Sequence, residues 1–210
     1  MQGKANLVRA GVIVVLAAVT LAALVGGCGS SSNGGKVNAP HYDAVSVAKP
    51  PKPAPPLALR DSLGHPVDLR QFRGKAVVVT FIYTHCPDVC PLIVSHLKTA
   101  QSMLGPKARK LQIVAVSTDP RGDTPQTVAA FLRNHAMTGK MEYLIGSPSE
   151  LQRTWKDWNI VAKPSKANPD RVEHSALVYG IDAQGKLTTL YPADFKPAQI
   201  AHDVPLLAAQ

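Results

Sequence analysis

Residues 76–83, Ala-Val-Val-Val-Thr-Phe-Ile-Tyr, constrain the fold more than any other stretch. They are mostly β-branched, nearly all apolar, and too few for a buried helix. Such a run reads as a strand covered on both faces, which requires helices on both sides of a sheet. Residues 111–116 (LQIVAV) and 176–181 (ALVYGI) repeat the pattern. Helix signals fall between them. A helix over 90–104 stops at Gly105-Pro106, and Thr124-Pro125 supplies an N-cap and first-turn proline for a helix through 135. Ser147-Pro148-Ser149-Glu150 fits a capping box opening a helix to 158. Short strands are expected at 67–69 and 143–145, and a loop over 161–172. A turn at 182–185 leads into a strand over 187–191, and a helix over 197–207 closes the chain. This order predicts an α/β fold, with a central mixed sheet flanked by helices and a C-terminal β-hairpin plus helix. A thioredoxin-like fold is the small architecture that fits.

The N-terminal quarter has a different composition. Lys4 and Arg9 precede a 14-residue apolar run over 12–25, short for a membrane span. A positive start, a short apolar stretch and small residues before a cut site make a secretory signal. Val25-Gly26-Gly27-Cys28 resembles the bacterial lipobox, so residues 1–27 are expected to be a lipoprotein signal peptide and Cys28 its lipidation site. Lipid at Cys28 would hold the chain on a membrane, on the extracytoplasmic (periplasmic) face. Residues 28–56 read as a tether, Gly/Ser-rich over 29–35 and Pro-rich over 49–56. Residues 57–210 are left as the folded domain. The net charge of +9 comes without a block of like charges, so no nucleic-acid arm is expected. Three cysteines exclude a disulfide-stapled mini-fold.

With Cys28 assigned to lipid, two thiols remain, in Thr84-His85-Cys86-Pro87-Asp88-Val89-Cys90-Pro91. They fall where a buried strand hands over to a helix, beyond the carboxyl end of a strand, where α/β sites lie. Spacing i, i+4 on a first helical turn places both sulfurs on one face, with Cβ atoms ~5–6 Å apart. The helix N-terminus favours thiolate, which is both nucleophile and soft metal ligand. Three readings stay open: a structural disulfide, a redox pair, and a metal site suited to Cu(I) or Zn(II). The C-x-x-x-C spacing departs from the usual C-x-x-C dithiol motif. Cys-x-x-Cys-His is absent, which disfavours haem. Of seven histidines, His174 opens the third buried strand after the long loop, and spacing alone does not bring it to the thiols.

Four segments together carry a resemblance: TFIYTHCPDVCP, AVSTDPRGDTPQTVAAFL, VEHSALVYGID and YPADFKPAQIAHDVPLL. In this order they resemble the Sco (SenC/PrrC) family over nearly all of 57–210. The resemblance implies a thioredoxin-like fold behind an N-terminal membrane anchor. It also implies a copper site, Cu(I) and/or Cu(II), made here of Cys86, Cys90 and His174. Asp88 matches the acid between the cysteines; an N-cap role and a supporting role near the thiols are both open. Glu173 stands where relatives commonly carry Asp, and is expected to support His174. The implied function is a copper chaperone rather than an enzyme. Its partner would be the copper-bearing subunit of a membrane cytochrome c oxidase, at the copper A centre. The alternative is a thiol-disulfide reductase that uses Cys86 and Cys90 on that subunit's cysteines.

Overall fold

In the computed structural model the central run forms strand β5, Ala76–Ile82, buried at all seven positions. Side chains alternate between faces of a strand. Ala76, Val78 and Ile82 enter one core cluster, while Val77, Val79 and Phe81 enter the other. The sheet is therefore covered on both sides, as the continuous apolar run requires.

The structure describes residues 41–46, 49–168 and 171–210. The expected signal peptide, Cys28 and the Gly/Ser part of the tether lie outside them. The strands are β1 Val45–Ser46, β2 Lys52–Pro53, β3 Ala58–Asp61, β4 Pro66–Asp68, β5, β6 Leu111–Ser117, β7 Met141–Ile145, β8 Ala162–Pro164, β9 Val172–His174, β10 Leu177–Ile181 and β11 Lys186–Pro192. The helices are α1 Val89–Leu104, α2 Pro125–Asn134, α3 Pro148–Asp157 and α4 Pro197–Leu207. Nine strands form one mixed sheet in the order β1-β11-β10-β5-β6-β7-β3-β4, with β2 also on β11. Only β5–β6 and β6–β7 are parallel. This is the expected thioredoxin-like α/β fold.

Helices α1, α2 and α4 supply Ile93, Val94, Leu97, Val128, Ile200 and Val204 to one core. On the opposite face α3 supplies Leu151 and Trp155, joined by Trp158. Both indoles find acceptors: Trp155 donates to the Ser117 carbonyl (2.9 Å) and Trp158 to the Pro56 carbonyl (3.1 Å). Among the described residues no helix is long and apolar enough to cross a membrane.

Two expectations need correction. Residues 161–172 are not a plain loop: β8 and β9 pair antiparallel as a separate two-stranded sheet, with Ala162 opposite His174. Folded structure also begins before residue 57. Strands β1 and β2 pair with β11, Ala54 N–H donates to the Gly185 carbonyl (3.0 Å), and the Asp43 and Ala44 amides donate to Asp203. The proline-rich stretch leaves enough backbone N–H and C=O groups to add these edge pairs.

Candidate metal centre

Strand β5 ends at Ile82 and delivers the cysteine loop at its carboxyl end. A buried carboxylate fixes that corner. Asp123 accepts the Thr84 amide (2.8 Å), the Ser117 hydroxyl (2.6 Å) and the Tyr143 hydroxyl (2.8 Å). Burial raises its pKa against the pull of these donors. Sequence reasoning gave Asp123 no role, although it stands in the quoted DPRGDTP segment. In the same turn a Cβ on Gly122 would displace the Asp119 carboxylate and press on His85 Nδ1 at 3.2 Å.

The loop then enters α1. Asp88 is the N-cap and its carboxylate accepts the Val89 amide, which settles the N-cap role. Its Oδ1 also lies 3.7 Å from Cys86 Sγ, close enough to act on the thiol. Cys86 precedes the helix and Cys90 occupies its first turn. The Cys90 amide donates to Cys86 Sγ at 3.3 Å, so an otherwise unpaired helix N–H points at sulfur.

The two thiols are electrostatically unequal. Cys86 is drawn down to about 4, chiefly by its hydrogen bond with the Cys90 thiol; burial opposes the shift, and His174 and the Asp88 and Cys90 amides add to it. Cys90 is pushed strongly upward by burial and then by the Cys86 sulfur beside it. The charge therefore sits on Cys86 and the proton on Cys90.

His174 arrives from the β8–β9 hairpin. Its Nε2 stands 3.5 Å from Cys90 Sγ, and its Nδ1 stands 3.2 Å from the Ser175 carbonyl. A carbonyl can only accept, so Nδ1 donates there, and Nε2 is the ring nitrogen turned to the sulfurs. The Cys86, Cys90 and His174 donor atoms all lie within 4.8 Å of one another. Donors ~2.0–2.3 Å from one ion stand at most ~4.6 Å apart, so a slight contraction closes this set on a metal. Cys86, Pro87, Asp88 and Val89 line one side of an open cleft of about 400 Å³, and Ser165 and 171–174 line the other.

Glu173 does not take the expected supporting position. It faces the other side of β9 from His174, half exposed, with its carboxylate 3.3 Å from Lys163 Nζ. Alternation along a strand forces this: neighbours 173 and 174 point opposite ways. Tyr83 was missed. Its ring meets the His174 ring edge to face, with centroids 5.6 Å apart at 88°.

The other described histidines are engaged elsewhere or exposed. His65 pairs with Asp61 (3.0 Å), His96 and His135 meet Phe195 and Phe131, and His85 Nδ1 lies 3.0 Å from Thr84 Oγ1. His202 Nδ1 is 2.7 Å from Asp203, in a second cluster with Asp43. Asp203 there is already satisfied by the Asp43 and Ala44 amides and the Tyr191 hydroxyl, which makes the cluster a clamp on the N-terminal segment. A larger cavity, about 460 Å³, lies at the opposite end of β5, lined by Ala54–Ala58, Phe72, Arg73 and Val77. It contains none of the three donors.

Comparison with known proteins follows the same lines. The SCO1/SenC family profile matches residues 47–209. An SCO1 protein homolog of Bacillus subtilis (strain 168) is 26% identical over 139 residues, covering 65% of this chain and 72% of that protein. The solved structure of Bradyrhizobium japonicum ScoI with copper bound is 30% identical, covering 73% of this chain and 98% of that one, with a TM-score of 0.65. A SCO1/SenC family lipoprotein from Bacillus anthracis str. Ames is 25% identical, covering 75% of this chain and 95% of that one, with a TM-score of 0.66.

Proposed function

This chain belongs to the SCO1/SenC family, and from that premise we propose that it is a membrane-anchored copper-binding protein of cytochrome c oxidase assembly, delivering copper to, or preparing, the copper A centre. The observation that carries the reading is the convergence of Cys86, Cys90 and His174 from two separate elements, with donor atoms within 4.8 Å. Two thiolates and an imidazole form a soft donor set that suits copper. Cys86 offers a thiolate already formed, Cys90 releases its proton as metal arrives, and His174 Nε2 closes the third side. Copper is cargo here. The open cleft beside the donors leaves room for a partner's ligand to enter before these three let go.

The anchoring part of the proposal rests on the sequence and on likeness to a family lipoprotein. Residues 1–27 are removed, Cys28 carries lipid, and residues 29–42 span the gap to the clamp at Asp43. That segment reaches at most ~50 Å at ~3.3–3.6 Å per residue, so the domain stays near a membrane-bound oxidase at raised effective concentration.

The test is an anaerobic copper titration of reduced residues 29–210 under a competing chelator, beside Cys86→Ser, Cys90→Ser and His174→Ala. One chelator-resistant copper per wild-type chain, lost in all three variants, is expected. No chelator-resistant copper in the wild type refutes the copper reading.

One observation favours a second reading, thiol-disulfide reduction of the oxidase subunit's cysteines: the Cys90 amide in the first turn of α1 donates to Cys86 Sγ at 3.3 Å, which favours a thiolate there. Cys86 would attack a substrate disulfide as thiolate, and Cys90 would then displace the product to leave a Cys86–Cys90 disulfide. His174→Ala separates the two, since it removes a copper ligand and leaves the dithiol.

A further inference from the structure

The cavity of about 460 Å³ at the far end of β5 from the cysteine loop falls in the size range of small-molecule sites. Three pieces of chain wall it: the extended segment 54–58, the 3₁₀ turn Leu69–Phe72, and the turn at 182–185. Backbone hydrogen bonds tie these walls together. Ala54 N–H donates to the Gly185 carbonyl (3.0 Å), Leu69 N–H to the Leu57 carbonyl (3.1 Å), and Gly74 N–H to the Ala183 carbonyl (3.0 Å). The hollow is therefore built into the folded frame.

Its floor is apolar. Leu57, Val77 and Ile181 are buried members of one core cluster, and Leu69 and Phe72 pack against that cluster. Side chains three apart eclipse on a 3₁₀ turn. Leu69 and Phe72 thus form one apolar face, with Arg70 and Arg73 side by side next to it, and all four line the cavity.

The two arginines differ. Arg70 grips Asp68 twice, Nε to Oδ1 at 2.9 Å and Nη2 to Oδ2 at 2.7 Å, so its charge is matched. Among the described residues no acceptor engages the Arg73 guanidinium. That group lies against Gly185, its Cζ and Nη1 each 2.4 Å from where a Cβ there would stand. Asp182 also lines the cavity, but its oxygens are turned to its own hairpin. Oδ1 accepts the Lys186 amide (2.8 Å), and Oδ2 lies 3.4 Å from the Thr188 hydroxyl. An apolar hollow with one uncommitted guanidinium at its edge suits a molecule with an apolar tail and an anionic head. The planar fork of an arginine matches a carboxylate.

We propose that this cavity binds a free acyl carboxylate, its chain laid on the floor formed by Leu57, Leu69, Phe72, Val77 and Ile181 and its head held by Arg73. The site shares no residue with the Cys86, Cys90 and His174 centre, so it stands apart from the copper function proposed above.

The experiment titrates decanoate, below its micelle concentration, into ¹⁵N-labelled residues 29–210 and follows the amide resonances. Saturable shifts are expected over 54–58, 69–74 and 182–185, while those over 86–90 hold. Acetate keeps the head without the tail, and decanol keeps the tail without the charge. Each should bind at least ~10-fold more weakly than decanoate, the low end for a hydrogen bond to a charged group. Arg73→Met keeps a long side chain and removes the charge. It should weaken decanoate by the same ~10-fold, leave decanol unchanged, and unfold at the wild-type midpoint. No saturable shift with decanoate overturns the site. So do shifts scattered over the surface, which mark adsorption of an anion on a basic protein. Decanol or acetate binding as tightly as decanoate, or Arg73→Met binding decanoate like wild type, overturns the assignment of head and tail. The comparison of the three ligands on wild type decides the matter even if the variant is unstable.

Discussion

Cys90 Sγ lies 3.5 Å from His174 Nε2 although 84 residues separate them. The pairing depends on two unlike elements: the first turn of a buried helix, and a two-stranded hairpin outside the main sheet. His174 can therefore be changed without disturbing the sheet. His174→Ala should bind copper at least ~100-fold more weakly, since loss of a residue merely supporting a ligand already costs 10–100-fold. Its unfolding midpoint should stay near wild type. Chelator competition and urea denaturation check the two halves.

The division of the thiols has a kinetic signature. With Cys86 held ionised down to about 4 and Cys90 kept protonated, iodoacetamide at pH 6 should modify Cys86 first and largely spare Cys90. Peptide mass spectrometry reads the site directly. Equal labelling of the two would contradict the asymmetry.

The same shift makes stability depend on pH. The folded state lowers Cys86 from an ordinary 9.0 to about 4, so between those values the unfolded chain binds the extra proton and stability rises with pH. The contribution is full above pH 9 and lost as pH falls through 4. Cys90 acts oppositely: its raised pKa costs stability once an unfolded thiol would ionise, above about 9. Urea midpoints of the reduced, metal-free protein, minus those of Cys86→Ser, should grow from pH 5 to pH 8.

Strands β5, β6, β7, β10 and β11 were legible because continuous apolar runs and helix caps are local signals, whereas the short edge strands β1, β2 and β3 were not expected. β5, β6, α2 and α3 fall within a residue or two of where Ala76, Leu111, Thr124 and Ser147 place them. The cysteine pair was legible as chemistry from its spacing at a strand-to-helix junction. His174 was not, because its partner lies across the fold, and only likeness to a family pointed to it. Glu173 was misjudged for a plain reason: a neighbour in sequence on a strand faces away. The β8–β9 hairpin was read as a loop because residues 161–172 are rich in Lys, Pro, Asn and Ser, with no apolar alternation to mark strands. Asp123 acts through hydrogen bonds to Thr84, Ser117 and Tyr143, and Tyr83 through its ring on His174, contacts that no local pattern reveals.

Asp123 holds the corner from which the cysteine loop departs. Asp123→Ala leaves the Thr84 amide and the Ser117 hydroxyl without their acceptor, and leaves the Tyr143 hydroxyl only the Ile82 carbonyl at 3.3 Å. Stranded buried donors cost ~1–3 kcal/mol each before relaxation, so a loss of about 2–4 kcal/mol is expected in urea unfolding. Copper affinity should fall too, because Thr84 is two residues from Cys86.

The N-terminal segment belongs to the fold, and removing it should show this. A chain starting at residue 57 loses β1, β2 and the Asp43 and Ala44 amides that Asp203 accepts at 2.9 and 3.2 Å. Asp203 is fully buried, and only the Tyr191 hydroxyl and His202 would remain on it. A buried carboxylate that loses two donors is destabilising by about 2–4 kcal/mol, at ~1–3 kcal/mol per lost partner. Residues 57–210 should therefore unfold at clearly lower urea than residues 39–210, while copper binding per folded molecule stays the same. Equal midpoints would show that the clamp contributes nothing and that residues 39–56 act as tether alone.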